Sequence, residues 1–398
     1  EAALTTAVDA AAALRNNIGF LQRSQIAIVA AFLSAIYLKL VVSRIAPGWK
    51  SLALVAPLLA LNLWLPLLFH MREEVVSRTC VVFLISWLGS FKAIGMCLNR
   101  GPLAADWSVA QMIFLYVAPV LPRQDAGGPV KAGRLQDSAG TWGTLAASFV
   151  INTTILGVVS YLLVVMDMPK VVKIYIYALG LYGFVSFIME GPAAIIVGLL
   201  RIELVPPFDK PWLATSLADF WGRRWNNSTS LLLRFLVYDP IIEGRLVKKA
   251  KQEDPQQPAP SKQVSNSMRL TAMLATFALS GLIHEAILAY VNRPYYPGPW
   301  FMFFFIQGPL LAVEMRVHKH LRATHKQLPF TAAWTLTTAC LLLTAYMFFF
   351  PPIEDWTDLA PRIAQAVTSN FQAVLGPLQG LGRQYWAVAA GLVQQSAI

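Results

Sequence analysis

Charge is what this sequence has least of. Only 13% of its 398 residues are Asp, Glu, Lys or Arg, against about 25% in an ordinary soluble domain. Apolar residues make up 56% and the mean hydropathy is +0.54. This balance excludes a disordered chain, a water-soluble enzyme and a fibrous repeat. Cysteine is scarce too. Cys80, Cys97 and Cys340 all lie inside apolar runs, which gives neither a disulfide framework nor a zinc spacing. The five histidines, His70, His284, His318, His320 and His325, are too few and too scattered for a multi-histidine di-iron site. His318, His320 and His325 stand beside Arg316, Lys319, Arg322 and Lys326 and read as a basic loop, with no metal. A Walker A loop, a dinucleotide-binding glycine fingerprint and a Gly-x-Ser-x-Gly elbow are also missing.

What is present is a series of apolar runs, each close to the roughly 20 residues needed to cross hydrocarbon. They lie near 24–45, 51–69, 79–98, 107–121, 144–166, 171–200, 268–291, 299–315 and 330–350. With no extended strand pattern, the expectation is an all-α, polytopic integral membrane protein with about nine transmembrane helices. The fourth and eighth runs are short enough to be tilted or buried in protein. The sixth is interrupted by Glu190-Gly191-Pro192 and predicts a broken helix or a re-entrant piece. A segment near 229–238 is too short to span and is expected at the interface.

The chain divides into an amphipathic or interfacial segment (1–23), a transmembrane domain (24–352) and a mildly apolar C-terminal extension (353–398). The extension contains Gly376, Gly380, Gly382 and Trp386 and is a candidate contact for a partner protein. Within the domain, 201–267 is basic, and its low-complexity end near 250–267 is expected to be a mobile loop. The net charge of +11 comes from 32 basic and 21 acidic residues. The basic ones lie between the runs, so they read as a topology signal and as partners for phosphates, not nucleic acid. If nine spans cross, the N-terminus and the loops after spans two, four, six and eight hold most of them. Positive-inside bias then places that side in the cytosol.

Ionisable groups inside a membrane cost about 2.5–3.5 kcal/mol each on insertion scales, so each one is a functional candidate. Here they are His284, Glu285, Glu190, Glu314, Lys92 and Lys39, the last close enough to a span end to snorkel. His284-Glu285 is the strongest. Ser280 lies one turn earlier on the same helix face, and Gly281 permits another backbone to come close. A neutral imidazole there is able to accept a proton; a histidine that merely bonds two helices is the alternative. The second constellation is Ser216-Leu217-Ala218-Asp219-Phe220-Trp221-Gly222-Arg223-Arg224-Trp225-Asn226-Asn227. Two Trp flanking two Arg suit headgroup depth, and Asn226 both donates and accepts. The alternatives are an aromatic and basic belt on an amphipathic helix, or glycosylation at the sequons of Asn226 and Asn227.

These residues resemble the plant-type wax synthases within the membrane-bound O-acyltransferases. Ser216 to Asn226, followed by Leu233-Arg234 and Val237-Tyr238-Asp239-Pro240, resembles that family's central signature. Leu279 to Glu285 resembles its histidine motif, and Trp87 to Lys92 with Gly101-Pro102-Leu103 is a third match. Gly89-Ser90 stands where a bulkier Ala-Asn pair is expected, and the chain runs on past the usual end after Pro352. The resemblance implies helices around a buried catalytic chamber, with transfer of an acyl group from acyl-CoA, a co-substrate and not a bound cofactor, to the hydroxyl of a lipophilic alcohol. It implies His284 as general base and Asn226 as the group that holds the acyl carbonyl or orients the ring. Trp221, Arg223, Arg224, Trp225, Ser280, Glu285 and Lys92 are the implied substrate-binding residues, with the arginines meeting CoA phosphates. The partners are then acyl-CoA, the alcohol and membrane lipids, in the endoplasmic reticulum or another intracellular membrane. A transporter with a buried His and Glu path, or a non-catalytic membrane subunit, are the competing readings.

Overall fold

The computed structural model describes residues 2–123, 142–200, 202, 204–249, 264–292, 294–325 and 328–373. Among the described residues no strand forms; Pro122 and Leu204 make one isolated bridge. The helices are α1 (Ala2–Asn17), α2 (Phe20–Leu40), α3 (Trp49–Trp64), α4 (Val75–Cys97), α5 (Val109–Val117), α6 (Trp142–Val165) and α7 (Lys170–Leu200). They continue with α8 (Asn227–Leu233), α9 (Asn266–Val291), α10 (Pro299–Ala323), α11 (Phe330–Phe349) and α12 (359–373). Eight of the described helices, α2, α3, α4, α6, α7, α9, α10 and α11, are long and apolar enough to span.

The fourth apolar run is the one that does not. Ser108 caps α5 by accepting from Gln111 N–H, and the chain leaves the helix at Ala118, just before Pro119 and Pro122. The remaining helix has nine residues, about 14 Å at 1.5 Å per residue, half of a bilayer core. Its open C-terminal carbonyls are met by Lys92, fully buried on α4, whose Nζ donates to Leu115 O at 2.7 Å and to Ala118 O. In hydrocarbon this contact substitutes for water.

Removing one early span moves the N-terminus to the side opposite the basic region. Contacts at the two ends of the bundle fit this count. At one end Arg15 donates to Leu67 O, Trp64 to Ala7 O, Arg362 to Met71 O and Lys170 to Asp355. At the other, Lys39 pairs with Asp106 at 2.6 Å, Gly48 N–H reaches Cys97 O, and Arg100 holds Glu243 at 2.8 Å. The basic stretch 210–249 belongs to this second end.

One further expectation gives way to packing. The sixth run is one continuous helix despite Pro192, and Glu190 is bonded to Asn152 of α6 at 2.8 Å, which makes it a tie between α6 and α7. Within the segment 229–238, Thr229, Leu232 and Leu233 are buried while the Arg234 side chain is half exposed. The first part of the C-terminal extension is folded in as well, with Leu359, Ala364 and Val367 buried and Phe371 packed on Gly157 of α6. Residues 374–398, with Gly376 and Trp386, and most of the loop at 250–267 lie outside the described residues.

Candidate active site

Four places in the bundle wind as π-helix: Val82–Gly89, Phe220–Arg224, Arg234–Tyr238 and Ala345–Phe349. Such wide turns re-aim side chains and are frequent at functional sites. Each supplies a wall residue of one chain of cavities: Trp87, Trp221, Arg234 and Phe349 respectively. The outermost cavity, about 250 Å³, is bounded by Arg234, Tyr238, Met273, Thr276 and Phe277. It shares Arg234, Thr276 and Phe277 with a second of about 320 Å³. This in turn shares Trp221, Trp225, Asn226, His284 and Phe304 with a third of about 410 Å³. The third is walled by apolar and aromatic side chains of α4, α7, α9, α10 and α11.

His284 sits at the junction. Its ring stacks on Phe304 with centroids 3.7 Å apart and meets the edges of Trp87 at 5.1 Å and Trp300 at 6.5 Å. Its Nδ1 lies 2.7 Å from Ser280 O. A carbonyl only accepts, so Nδ1 carries the hydrogen, and Nε2 keeps the lone pair. Asn226 stands opposite in chain order, 58 positions earlier, at the start of α8. Its backbone is left-handed, φ +44°, a conformation that Asn tolerates better than most residues. Its Oδ1 accepts from Thr229 N–H at 3.2 Å, capping α8, which turns the amide Nδ2 into the donor available to a ligand. Neighbouring Asn227 anchors this turn by donating to Pro206 O at 2.9 Å and, from its backbone, to Pro207 O. Both asparagines are buried, which removes the sequons as glycosylation sites.

The turn before Asn226 is held from the α10 side. Glu314 accepts from the backbone N–H groups of Leu217 and Ala218, so this intramembrane carboxylate is a helix cap and not a free acid. Ser216 caps the same turn through Asp219 N–H. Trp221 is fixed by its Nε1–H to Gln307 at 3.3 Å.

Of the implied site residues, the structure brings His284, Asn226, Trp221, Trp225 and Ser280 to the cavities. The other four line none of them. Lys92 is spent on α5. Arg223 and Arg224 are both clamped to Asp219, the latter at 2.6 Å, because the π turn brings the two guanidinium groups back over that carboxylate. Glu285 is buried and accepts from Phe301 N–H at 2.8 Å, tying α9 to the first turn of α10. The cavity mouth belongs to Arg234, whose side chain is half exposed and 3.4 Å from Asp239. Phe304, Trp300 and Gln307 were not singled out by sequence reasoning. Gln307 had a signal, as the one polar side chain in the run from Trp300 to Leu311. The phenylalanines of that run had none.

Comparison with known proteins gives a family. A profile of the membrane bound O-acyl transferase family matches residues 204–307, the stretch that holds both Asn226 and His284. A probable long-chain-alcohol O-fatty-acyltransferase 8 of Arabidopsis thaliana is 30% identical over 339 residues, covering 84% of this chain and 91% of that protein. Acyl-CoA–sterol O-acyltransferase 1 of the same plant is 28% identical over 321 residues, 80% of this chain and 87% of the relative. The long-chain-alcohol O-fatty-acyltransferase of Simmondsia chinensis is 26% identical over 352 residues, 86% and 93%. The chain belongs to the membrane bound O-acyl transferase family. It is a multi-pass membrane acyltransferase of the wax synthase type, which sets aside the transporter reading.

Proposed function

We propose that this protein transfers the acyl group of an acyl-CoA to the hydroxyl of a lipophilic alcohol, with His284 as general base and Asn226 as the donor to the acyl carbonyl. The observation that carries the proposal is the meeting of these two side chains, from distant parts of the chain, at the junction of the second and third cavities. The donor enters from the basic end, where half-exposed Arg234 offers a guanidinium to its phosphates. The alcohol enters from the bilayer: Leu179 of α7 lines the apolar cavity and is also 42% exposed on the outer face of the bundle.

The hydroxyl oxygen attacks the thioester carbon while its proton passes to Nε2 of His284. Asn226 Nδ2 donates to the carbonyl oxygen as negative charge grows on it, in a site closed by Trp87, Trp300 and Phe304. The C–S bond then breaks, and the imidazolium returns the proton from Nε2 to the departing CoA sulfur, which leaves as the thiol and restores neutral His284. The ester is the product.

The relatives named for sterols and for long-chain alcohols differ in acceptor, and both acceptor classes carry one hydroxyl on an apolar body, which fits a cavity with few polar walls. The test is turnover of the purified protein with a panel of acyl-CoAs and alcohols. His284→Ala is expected to lower turnover by about 10²–10⁴, the usual worth of a general base. Full activity of a folded His284→Ala protein would end the proposal.

A further inference from the structure

The wall between the second and third cavities is built in an unusual way, and its support lies outside the residues that do chemistry. Trp221 faces both cavities. Its ring packs edge-on against Phe277 at 6.1 Å, Phe303 at 6.3 Å and Phe304 at 5.8 Å. Aromatic contacts of this kind fill space without fixing a rotamer. What fixes it is the indole N–H bonded to Gln307 Oε1 at 3.3 Å. Gln307 is fully buried within α10, and its amide is itself committed, Nε2 donating to Phe303 O at 3.2 Å and to Thr344 Oγ1 of α11 at 3.1 Å. Thr344 in turn donates to its own helix, to Cys340 O at 2.9 Å.

A polar relay thus crosses from α11 through α10 to the turn that carries Asn226. A buried amide in an apolar span is costly unless its bonds are made, and here those bonds end on the partition of the site. No step of the proposed reaction uses Gln307.

We infer that Gln307, backed by Thr344, is a positioning residue that holds Trp221 as the partition between the two cavities, and that this partition sets which acyl chains the enzyme accepts. A short acyl group stays on the donor side of the indole. A long one must pass it into the larger cavity, in competition with the alcohol. The inference rests on the proposed acyl transfer, and the experiment separates the two.

Turnover is measured for the wild-type protein with acyl-CoAs from two to eighteen carbons and one fixed alcohol, then for Trp221→Phe, Trp221→Ala, Gln307→Leu and Thr344→Val. Trp221→Ala joins the cavities and is expected to raise kcat/KM for the longest accepted chain, relative to the shortest, by about tenfold or more, the scale of discrimination that small changes in a hydrophobic pocket command. Gln307→Leu and Trp221→Phe each delete the same bond and are expected to shift the chain-length profile in that direction, by less. Their combination is expected to shift it no further than either alone, since both act through one contact. Thr344→Val, the mildest change, reports the same shift should the alanine protein fail to fold.

An unchanged profile in all four variants, with wild-type protein active, would overturn the partition. Additive shifts from Gln307→Leu and Trp221→Phe would overturn the positioning role of Gln307. A wild-type protein inactive with every donor and alcohol would instead strike the acyl transfer itself.

Discussion

At the scale of single residues, Asn226 carries two duties that separate experimentally. Its Oδ1 caps α8 and its Nδ2 is assigned to the acyl carbonyl. Asn226→Asp keeps an acceptor for Thr229 N–H and deletes the donor. It is expected to leave thermal stability near wild type while turnover falls by about 10²–10³, as when an oxyanion donor is removed. Asn226→Ala loses both and should also cost about 1 kcal/mol of stability from the missing cap, read as a lowered unfolding temperature in detergent. The mouth offers a titration. Burial pushes the Asp239 carboxyl above the usual aspartate range, against the pull of Arg234, with Glu243 raising it further and Arg100 lowering it. Above its raised pKa, Asp239 is ionised and competes for Arg234; as pH falls through that value toward about 3.9, protonation releases the guanidinium. KM for acyl-CoA is therefore expected to fall as pH is lowered through this window, and Asp239→Asn should show the low KM throughout. The sign for stability is the same: ionised Asp239 costs the folded state, so its contribution improves as pH drops.

Between elements, the decisive contact is that of α9 with α10. A Cβ placed on Gly281 would stand 2.8 Å from Phe301 O and 3.0 Å from the Phe301 ring. The first is backbone and cannot swing aside, so the two helices touch main chain to side-chain-free main chain. Phe301 N–H is also the group that Glu285 holds, and Phe304, one turn on, lies under the imidazole. Gly281→Ala must push α10 outward and take Phe304 from His284. A displacement near 1 Å at a reacting centre costs about 10² in rate, so the variant is expected to bind membranes and fold but to lose turnover on that scale, with KM for acyl-CoA little altered. Equal turnover in the alanine protein would show that the ring is held by something other than this helix pair. The close approach at Gly281 was legible from its place among small residues before His284. The role of Glu285 was not, because a carboxylate that caps a neighbouring helix and one that binds a ligand look alike in sequence.

For the whole molecule, the count of spans fixes which ends share a side. With α5 only half a bilayer long, eight crossings are expected to put residue 73 and residue 248 on opposite sides of the membrane. In a background lacking Cys80, Cys97 and Cys340, Glu73→Cys and Lys248→Cys are expected to react with an impermeant thiol reagent from opposite sides of sealed vesicles. Labelling from one side would restore a ninth crossing. The same architecture explains why polar groups that looked like active-site candidates are structural. Glu190, Lys92 and Glu314 each satisfy an amide or backbone group that would otherwise be unpaired in hydrocarbon, where every polar atom must find its partner within the protein.

By itself the sequence determined that the chain is helical and crosses a membrane, since apolar runs of that length admit no other solution. It also singled out His284 and the Trp-flanked Asn226, which the structure places on the same cavities, because their local patterns survive without knowledge of neighbours. Only the tertiary structure decided how many runs cross, which ions are consumed by helix ends, and that Arg234 rather than Arg223 or Arg224 meets the mouth. Those outcomes depend on which groups face one another across separate helices, and pairing in space is not written in the spacing of any one of them.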